Sequence, residues 1–164
     1  MRKKIYITCL HLNHGGVEMA ITLLANALVK CNYEVEILCT YNFGSPVYPL
    51  NKEVKVRYLT DVLPNRESFY AALHSKNPFR ICSEGFHALK TLYLKKHCLA
   101  KAISNIHNGT IISTRNEDTV ILSKYGNATV KKIAATVKRI NLRLKTVFKS
   151  QDSILSKIPQ GIAT

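Results

Sequence analysis

"HLNHGGVEMAITLLANALVK", His11 to Lys30, sets a polar loop and two adjacent glycines directly in front of an apolar-periodic run. Val17, Ile21, Leu24 and Leu28 recur at helical spacing, and Ala20, Ala25 and Ala27 keep that helix slim enough to lie on a sheet. Before the loop, Lys4 to Cys9 is a short run of β-branched and aromatic residues that reads as a buried strand. Beyond the helix, Cys31-Asn32 ends the run and Tyr33 to Thr40 reads as a second strand. Val35, Ile37 and Cys39 fall on one side of it, Glu34 and Glu36 on the other. Strand, glycine loop, helix and strand together open a layered α/β fold.

Further along, the same alternation continues. A loop bearing Gly, Pro and Asn (Asn42 to Asn51) leads to a third strand, Val54 to Leu59, and then to a looser stretch, Thr60 to Arg80, that holds two prolines. A long helical segment follows from about Ile81 to Ile106, with Phe86, Leu89, Tyr93 and Leu99 expected on its inner face, and Asn108-Gly109 stops it. Thr110 to Ser113 reads as a short strand, Glu117 to Tyr125 as a short helix closed by Gly126, and Val130 to Ala134 as a last strand. The expectation is a Rossmann-like, doubly wound, mostly parallel α/β sheet over residues 1–134, followed by a basic tail, 135–164.

The chain's 164 residues are enough for one domain with a proper core. No stretch approaches the roughly 18 uninterrupted apolar residues of a membrane-spanning helix, and the basic opening lacks a cleavage site, so the chain reads as cytosolic. Five cysteines (Cys9, Cys31, Cys39, Cys82, Cys98) are scattered and never form a C-x-x-C pair, so they read as small buried apolar groups and no metal site is expected. Charge says more. Twenty-four basic residues face ten acidic ones, a net +14. Half of that excess lies from Lys131 onward, where Asp152 is the lone acid. An anionic membrane surface, a phosphate-bearing substrate, nucleic acid, or nothing beyond a solvated basic face would each account for it.

Glycines leaving the first strand of a doubly wound sheet sit at the carboxyl edge, where ligands bind. The helix behind them offers unpaired N–H groups and a partial positive charge. Gly15, Gly16 and Val17 therefore form either a phosphate-facing turn or a turn whose glycines serve geometry alone. Neither the dinucleotide pattern G-x-G-x-x-G nor the P-loop pattern G-x-x-x-x-G-K-[ST] is present.

The opening "KKIYITCLHLNHGGVEMAITLLANALVKCNYEVEILCT" resembles the start of the N-terminal, acceptor domain of glycosyltransferase family 4, the GT-B enzymes that build bacterial surface polysaccharides. Gly15, Gly16 and Glu18 match the family's G-G-x-E loop, Leu24 to Leu28 its helix, and Glu34 to Ile37 with Thr40 its second strand. Asn32 stands where the family usually has glycine. "TIISTRNEDTVILSKYG", Thr110 to Gly126, is similar to the strand and helix midway through that domain. The resemblance implies that Gly15, Gly16 and Val17 face the donor's diphosphate. It also implies that Asn13, His14, Glu18 and Arg115 line the acceptor side, with Arg115 able to pair with a phosphate bidentately. His14 is otherwise an exposed loop imidazole and Arg115 an exposed strand-end cation.

The sequence also departs from the family. It contains no E-x7-E pair, so the second Rossmann-like domain that holds the nucleotide sugar is not in it. The chain by itself is expected to bind no cofactor and to transfer little or no sugar, the nucleotide-sugar donor belonging to the full-length family and requiring a separate donor domain. A sugar or lipid-linked acceptor is the implied substrate partner, at the inner face of the cell membrane. Past Ile133 the family's histidine-bearing loop is missing, and Ile140, Leu144, Val147 and Phe148 read either as one side of a basic amphipathic helix or as a tail without selected structure. The competing reading is a non-catalytic basic module for an anionic membrane surface or nucleic acid. Nucleic acid is the weaker of these, because no recognition motif is present and aromatics are not interleaved with the basic residues.

Overall fold

The computed structural model describes residues 2–75 and 77–135; the basic tail from Thr136 on lies outside them. Five strands, β1 (Lys4–Cys9), β2 (Glu34–Tyr41), β3 (Lys55–Thr60), β4 (Thr110–Ser113) and β5 (Lys131–Ala134), form one sheet in the order β3-β2-β1-β4-β5. Every pairing is parallel. The helices are α1 (Gly16–Lys30), α2 (Arg66–His74), α3 (Pro78–Ser104) and α4 (Asn116–Tyr125). This is the doubly wound, Rossmann-like architecture that the opening unit implies.

β1 is the axis of the fold. It pairs with β2 on one side (Ile5 with Val35, Ile7 with Ile37, Cys9 with Cys39) and with β4 on the other (Ile7 with Ile112). Ile5 to Cys9 are all buried, because layers cover both faces of a parallel sheet. On one face Ile5, Ile7, Val35, Ile37 and Cys39 meet Ile21, Ala25 and Val29 of α1. On the other, Tyr6, Leu38 and Ile111 meet Leu99 and Ile103 of α3 and Leu122 of α4. Glu34 and Glu36 leave β2 away from the first core and are neutralised by Lys4, Lys55 and Arg57.

The expected boundaries hold to within a residue or two except in the 60–106 region. There the stretch that reads as loose contains α2, flanked by Pro64 and Pro78, with Ala72 its one buried residue. So little apolar periodicity reaches the core that the sequence gives α2 no signal of its own. α3 starts where Asn77 caps it, its side chain accepting from the amides of Phe79 (3.1 Å) and Arg80 (3.5 Å), with Pro78 in the first turn. Its inner face is corrected. Leu99 is buried as expected, but Phe86, Leu89 and Tyr93 are exposed, and Thr91, Ala102 and Ile103 share the core side with Leu99. Likewise Cys9 and Cys39 are buried apolar groups, whereas Cys31 and Cys82 are exposed. The Cys39 sulfur and then burial push the Cys9 thiol well above its ordinary range, so it stays protonated.

Two turn residues set the crossovers. Asn32, at φ 65°, takes the left-handed conformation after α1, where the amide of Tyr33 reaches back to the Leu28 carbonyl at 3.1 Å. Gly109, at φ 114°, passes so close to β1 that a β-carbon would stand 2.6 Å from the Lys4 carbonyl oxygen. Thermal melts should therefore show Asn32→Gly unchanged or slightly stabilised and Asn32→Val weakened by about 1 kcal/mol. Gly109→Ala should lose about 2 kcal/mol or more, because the obstacle is backbone and cannot swing aside.

Candidate functional site

β2 and β3 lie to one side of β1, and β4 and β5 to the other, so the strand order reverses between β1 and β4. Outside the carboxyl ends of these two strands, the helices that follow them leave for opposite faces and open the crevice that such sheets use for ligands. The β1–α1 loop forms one wall. Leu12 is buried and anchors it, its carbonyl accepting from the Val47 amide at 3.1 Å, while Asn13 and His14 project into solvent. The edge of the His14 ring meets Tyr48, centroids 6.5 Å apart, and the Tyr48 hydroxyl accepts from the Gly15 amide at 3.3 Å. Val17 faces inward, packed on the α1 core.

Glu18 gives this loop its chemistry. It is the third residue of α1 and is buried, and its carboxylate folds back beneath Gly15, where any β-carbon would collide with it. Among the described residues no side chain caps the first turn of α1, and the charge of Glu18 lies in the positive field of that helix end. His11 stands beside it, Nδ1 3.5 Å from the Glu18 carboxylate, and packs edge-on against Phe43 at 5.6 Å. An incoming phosphate at the α1 end would thus meet a carboxylate already in place. The geometry of the glycine bend makes room for that carboxylate.

The other wall comes from β4 and α4. Arg115 precedes α4, one guanidinium nitrogen buried without a hydrogen-bond partner among the described residues and another 4.0 Å from the Glu117 carboxylate. Glu117 also takes the ammonium of Lys95 on α3, and this partner holds its carboxyl below the usual range. Asp118, the third residue of α4 and so the counterpart of Glu18 in α1, is buried against the central strand. The Thr8 hydroxyl donates to its Oδ2 at 2.9 Å, and the Thr114 hydroxyl donates to the Thr8 carbonyl at 2.8 Å. Burial pushes the Asp118 carboxyl up against the pull of the Thr8 hydrogen bond and the Arg115 charge. Tyr41, at the end of β2, has its phenol pushed up by burial against the pull of the Arg115 charge, and it packs edge-on with Phe43, which continues the wall back to His11.

The structure thus gathers Asn13, His14, Gly15, Gly16, Val17 and Glu18 on one side of the switch point and Arg115 on the other. His11 and Asp118 are site residues that the sequence reading passed over. For Asp118 the signal is an acidic third residue shared by the two helices that flank the switch point, G-V-E in α1 and N-E-D in α4; His11 carries no such signal. The fold and this edge define a doubly wound α/β domain with its crevice at the β1/β4 switch point. No protein-family model matches the chain, and no curated protein matches it. Among the described residues, no helix is long and apolar enough to cross a membrane.

Two substitutions check the buried polar link. Thr8→Val should cost about 1–3 kcal/mol, since it strands the Asp118 carboxylate without its donor. A carboxyl whose folded pKa is raised stabilises the fold below its unfolded value, near pH 4, and that contribution is lost as pH rises through the folded value. Asp118→Asn keeps an acceptor for Thr8 and removes the buried charge. Its melting temperature should therefore exceed that of the parent chain at pH 7, with the gap closing towards pH 4.

Proposed function

We propose that this chain carries the acceptor half of a nucleotide-sugar-dependent glycosyltransferase similar to family 4, and that a second domain binds the donor. The observation that carries the reading is the switch-point crevice itself. A G-G-x-E bend opens α1 on one wall, and Arg115 stands on the other with a guanidinium nitrogen that no neighbour among the described residues satisfies. Register with the family through the loop, the helix and the second strand supports the same reading.

Each group then has a distinct task. In such a transfer a bond forms between an acceptor oxygen and the anomeric carbon, the bond from that carbon to the diphosphate breaks, and negative charge gathers on the departing phosphates. Arg115, fixed between Glu117 and the end of β4, supplies the compensating charge and the fork geometry that suits a phosphate. Glu18 and His11, 3.5 Å apart on the opposite wall, form the polar pair assigned to the acceptor hydroxyl, and Asn13 and His14 guard the rim. The negative charge of Glu18 selects for the hydroxyl side of the reaction and against a second phosphate at α1. Gly15 acts by leaving the space that Glu18 fills, whereas a side chain at Gly16 would point into open space.

The test is reconstitution. The chain alone, given a panel of sugar nucleotides and hydroxyl-bearing acceptors, should show little or no transfer. Mixing it with a separately expressed family 4 donor domain should restore turnover. Arg115→Ala should then lower that turnover by about a hundredfold, the scale of removing one preorganised charge partner. Glu18→Gln should chiefly raise the acceptor KM. No transfer from any reconstituted mixture, together with an Arg115→Ala chain whose affinity for inorganic diphosphate equals that of the parent, would remove the reading.

A further inference from the structure

The loop between α3 and β4 is held at both ends and bare at its tip. Gly109, immediately before β4, takes φ 114°, and its carbonyl accepts from the Lys131 amide at 3.1 Å. A β-carbon on it would stand 2.6 Å from the Lys4 carbonyl oxygen. On the other side the His107 carbonyl accepts from the Thr129 hydroxyl at 2.7 Å, and the His107 ring meets the Asn127 amide at 3.3 Å. Asn108 is the exposed residue between these anchors. The side-chain bonds of the loop start from Asn127 and Thr129, and among the described residues none reaches the Asn108 amide.

That unengaged amide has a peptide nitrogen beside it that no side chain shields. Asn108-Gly109 is the one Asn-Gly pair in the sequence, and without a β-carbon on residue 109 the approach of its nitrogen to the Asn108 side chain is open. Other asparagine amides are occupied. Asn26 donates to the Pro49 carbonyl at 2.9 Å, Asn65 to the Glu84 carbonyl at 3.0 Å, and Asn127 to the Ser104 and Ile106 carbonyls at 2.8 and 2.6 Å. Asn13 and Asn105 precede the bulkier His14 and Ile106. Charge near the tip favours the loss of an amide proton. Asn108 and Gly109 line a cavity with Arg2, Lys3, Lys4 and His107, and Glu34 is the one carboxylate in its wall. Arg2 is paired with Glu53, and Lys4 with Glu34 and Glu36. Lys3 and the His107 ring are the groups left to stabilise charge and to carry a proton.

We infer that Asn108 is a site of non-enzymatic deamidation through a cyclic imide formed with Gly109. The Gly109 nitrogen attacks Cγ of Asn108, so that an N–Cγ bond forms and the Cγ–Nδ2 bond breaks. The displaced amide leaves as ammonia, taking the proton that the Gly109 nitrogen gives up. Water then opens the ring at either carbonyl. One opening leaves aspartate, and the other leaves isoaspartate, whose main chain is one carbon longer. The extra carbon falls directly before Gly109, where the backbone lies tight against Lys4, and just ahead of the Ile5–Thr110 pairing of β1 with β4. The isoaspartyl product therefore loosens the central seam of the sheet, whereas the aspartyl product only adds a charge among cations. This inference stands apart from the glycosyl-transfer reading, since it uses neither the crevice nor its residues.

Trypsin releases residues 102–115 as one peptide, because Lys101 and Arg115 bound it and no other Lys or Arg lies between. The folded full-length chain is aged in mildly alkaline buffer at physiological temperature, and a fresh sample is digested alongside it. The aged peptide should gain the mass of an amide-to-acid exchange over the fresh one, and its fragment ions should place the gain at Asn108. An isoaspartyl methyltransferase with labelled S-adenosylmethionine should mark the same peptide. Asn108→Gln should lose both the mass gain and the label. The aged chain should melt lower than the fresh chain in proportion to its isoaspartyl fraction, while Asn108→Asp, which supplies the charge alone, should melt with the parent. Four results would each overturn the inference. The first is a gain that develops only when the chain is unfolded in urea, which shows that the fold shields the loop. The second is a gain placed at Asn105 and not at Asn108. A third is a label on this peptide that survives Asn108→Gln. The last is a chain that carries isoaspartate at position 108 and melts as the fresh chain does, which uncouples the loop from the seam.

Discussion

β1 is hydrogen-bonded along both edges and covered on both faces, and the end of such a strand raises a problem that the middle does not. Its last residues carry polar groups into a dry interior, and each must find a partner there. Thr8 solves this in two directions, donating to Asp118 at 2.9 Å and accepting from Thr114 at 2.8 Å, and the Cys9 carbonyl accepts from the Thr40 hydroxyl at 3.2 Å. These links tie β1 to α4, to the end of β4 and to β2 in one step. They fix how α4 leaves the sheet edge on its side of the crevice.

Seen from this edge, the two walls are built alike and charged differently. Each departing helix carries an acid as its third residue, placed in the positive field of its own N-terminus. In α4 the acid is spent on the fold, since Thr8 holds it and burial excludes water from it. In α1 the acid stays within reach of the crevice, with His11 beside it and the glycine bend arched over it. The positive charge on offer at the edge comes from the Arg115 side chain. A carboxylate set in the field of one helix end opposes an anion there, and the other wall carries a cation instead.

α3 joins the core to the crevice. Its second half is ordinary core helix, while Phe79 and Phe86 in its first half are exposed. Lys95 works at the junction, bonded to Glu117 beside Arg115, so a shift of α3 would reach the guanidinium through two successive ion pairs that share the Glu117 carboxylate.

Some of this was legible along the chain because it is local. The period of β1, α1 and β2, the glycine bend and the tolerance of Asn32 for a left-handed turn are each written in a few neighbouring residues, and backbone sterics read them the same way in any context. α2 and the facing of α3 were not legible. The apolar residues of α3 repeat convincingly, but periodicity reports only that a face exists, and Phe86, Leu89 and Tyr93 turned outward because Thr91, Leu99, Ala102 and Ile103 on the other side fit the sheet. The partnership of Thr8 with Asp118 spans 110 residues, and that of Glu18 with His11 depends on how tightly the loop bends. By itself the sequence determined the order of elements and the class of fold, since these follow from local period and turn chemistry. Which polar groups met at the crevice, and which apolar face was left uncovered, only packing decided, because both depend on distances between segments that the chain keeps far apart.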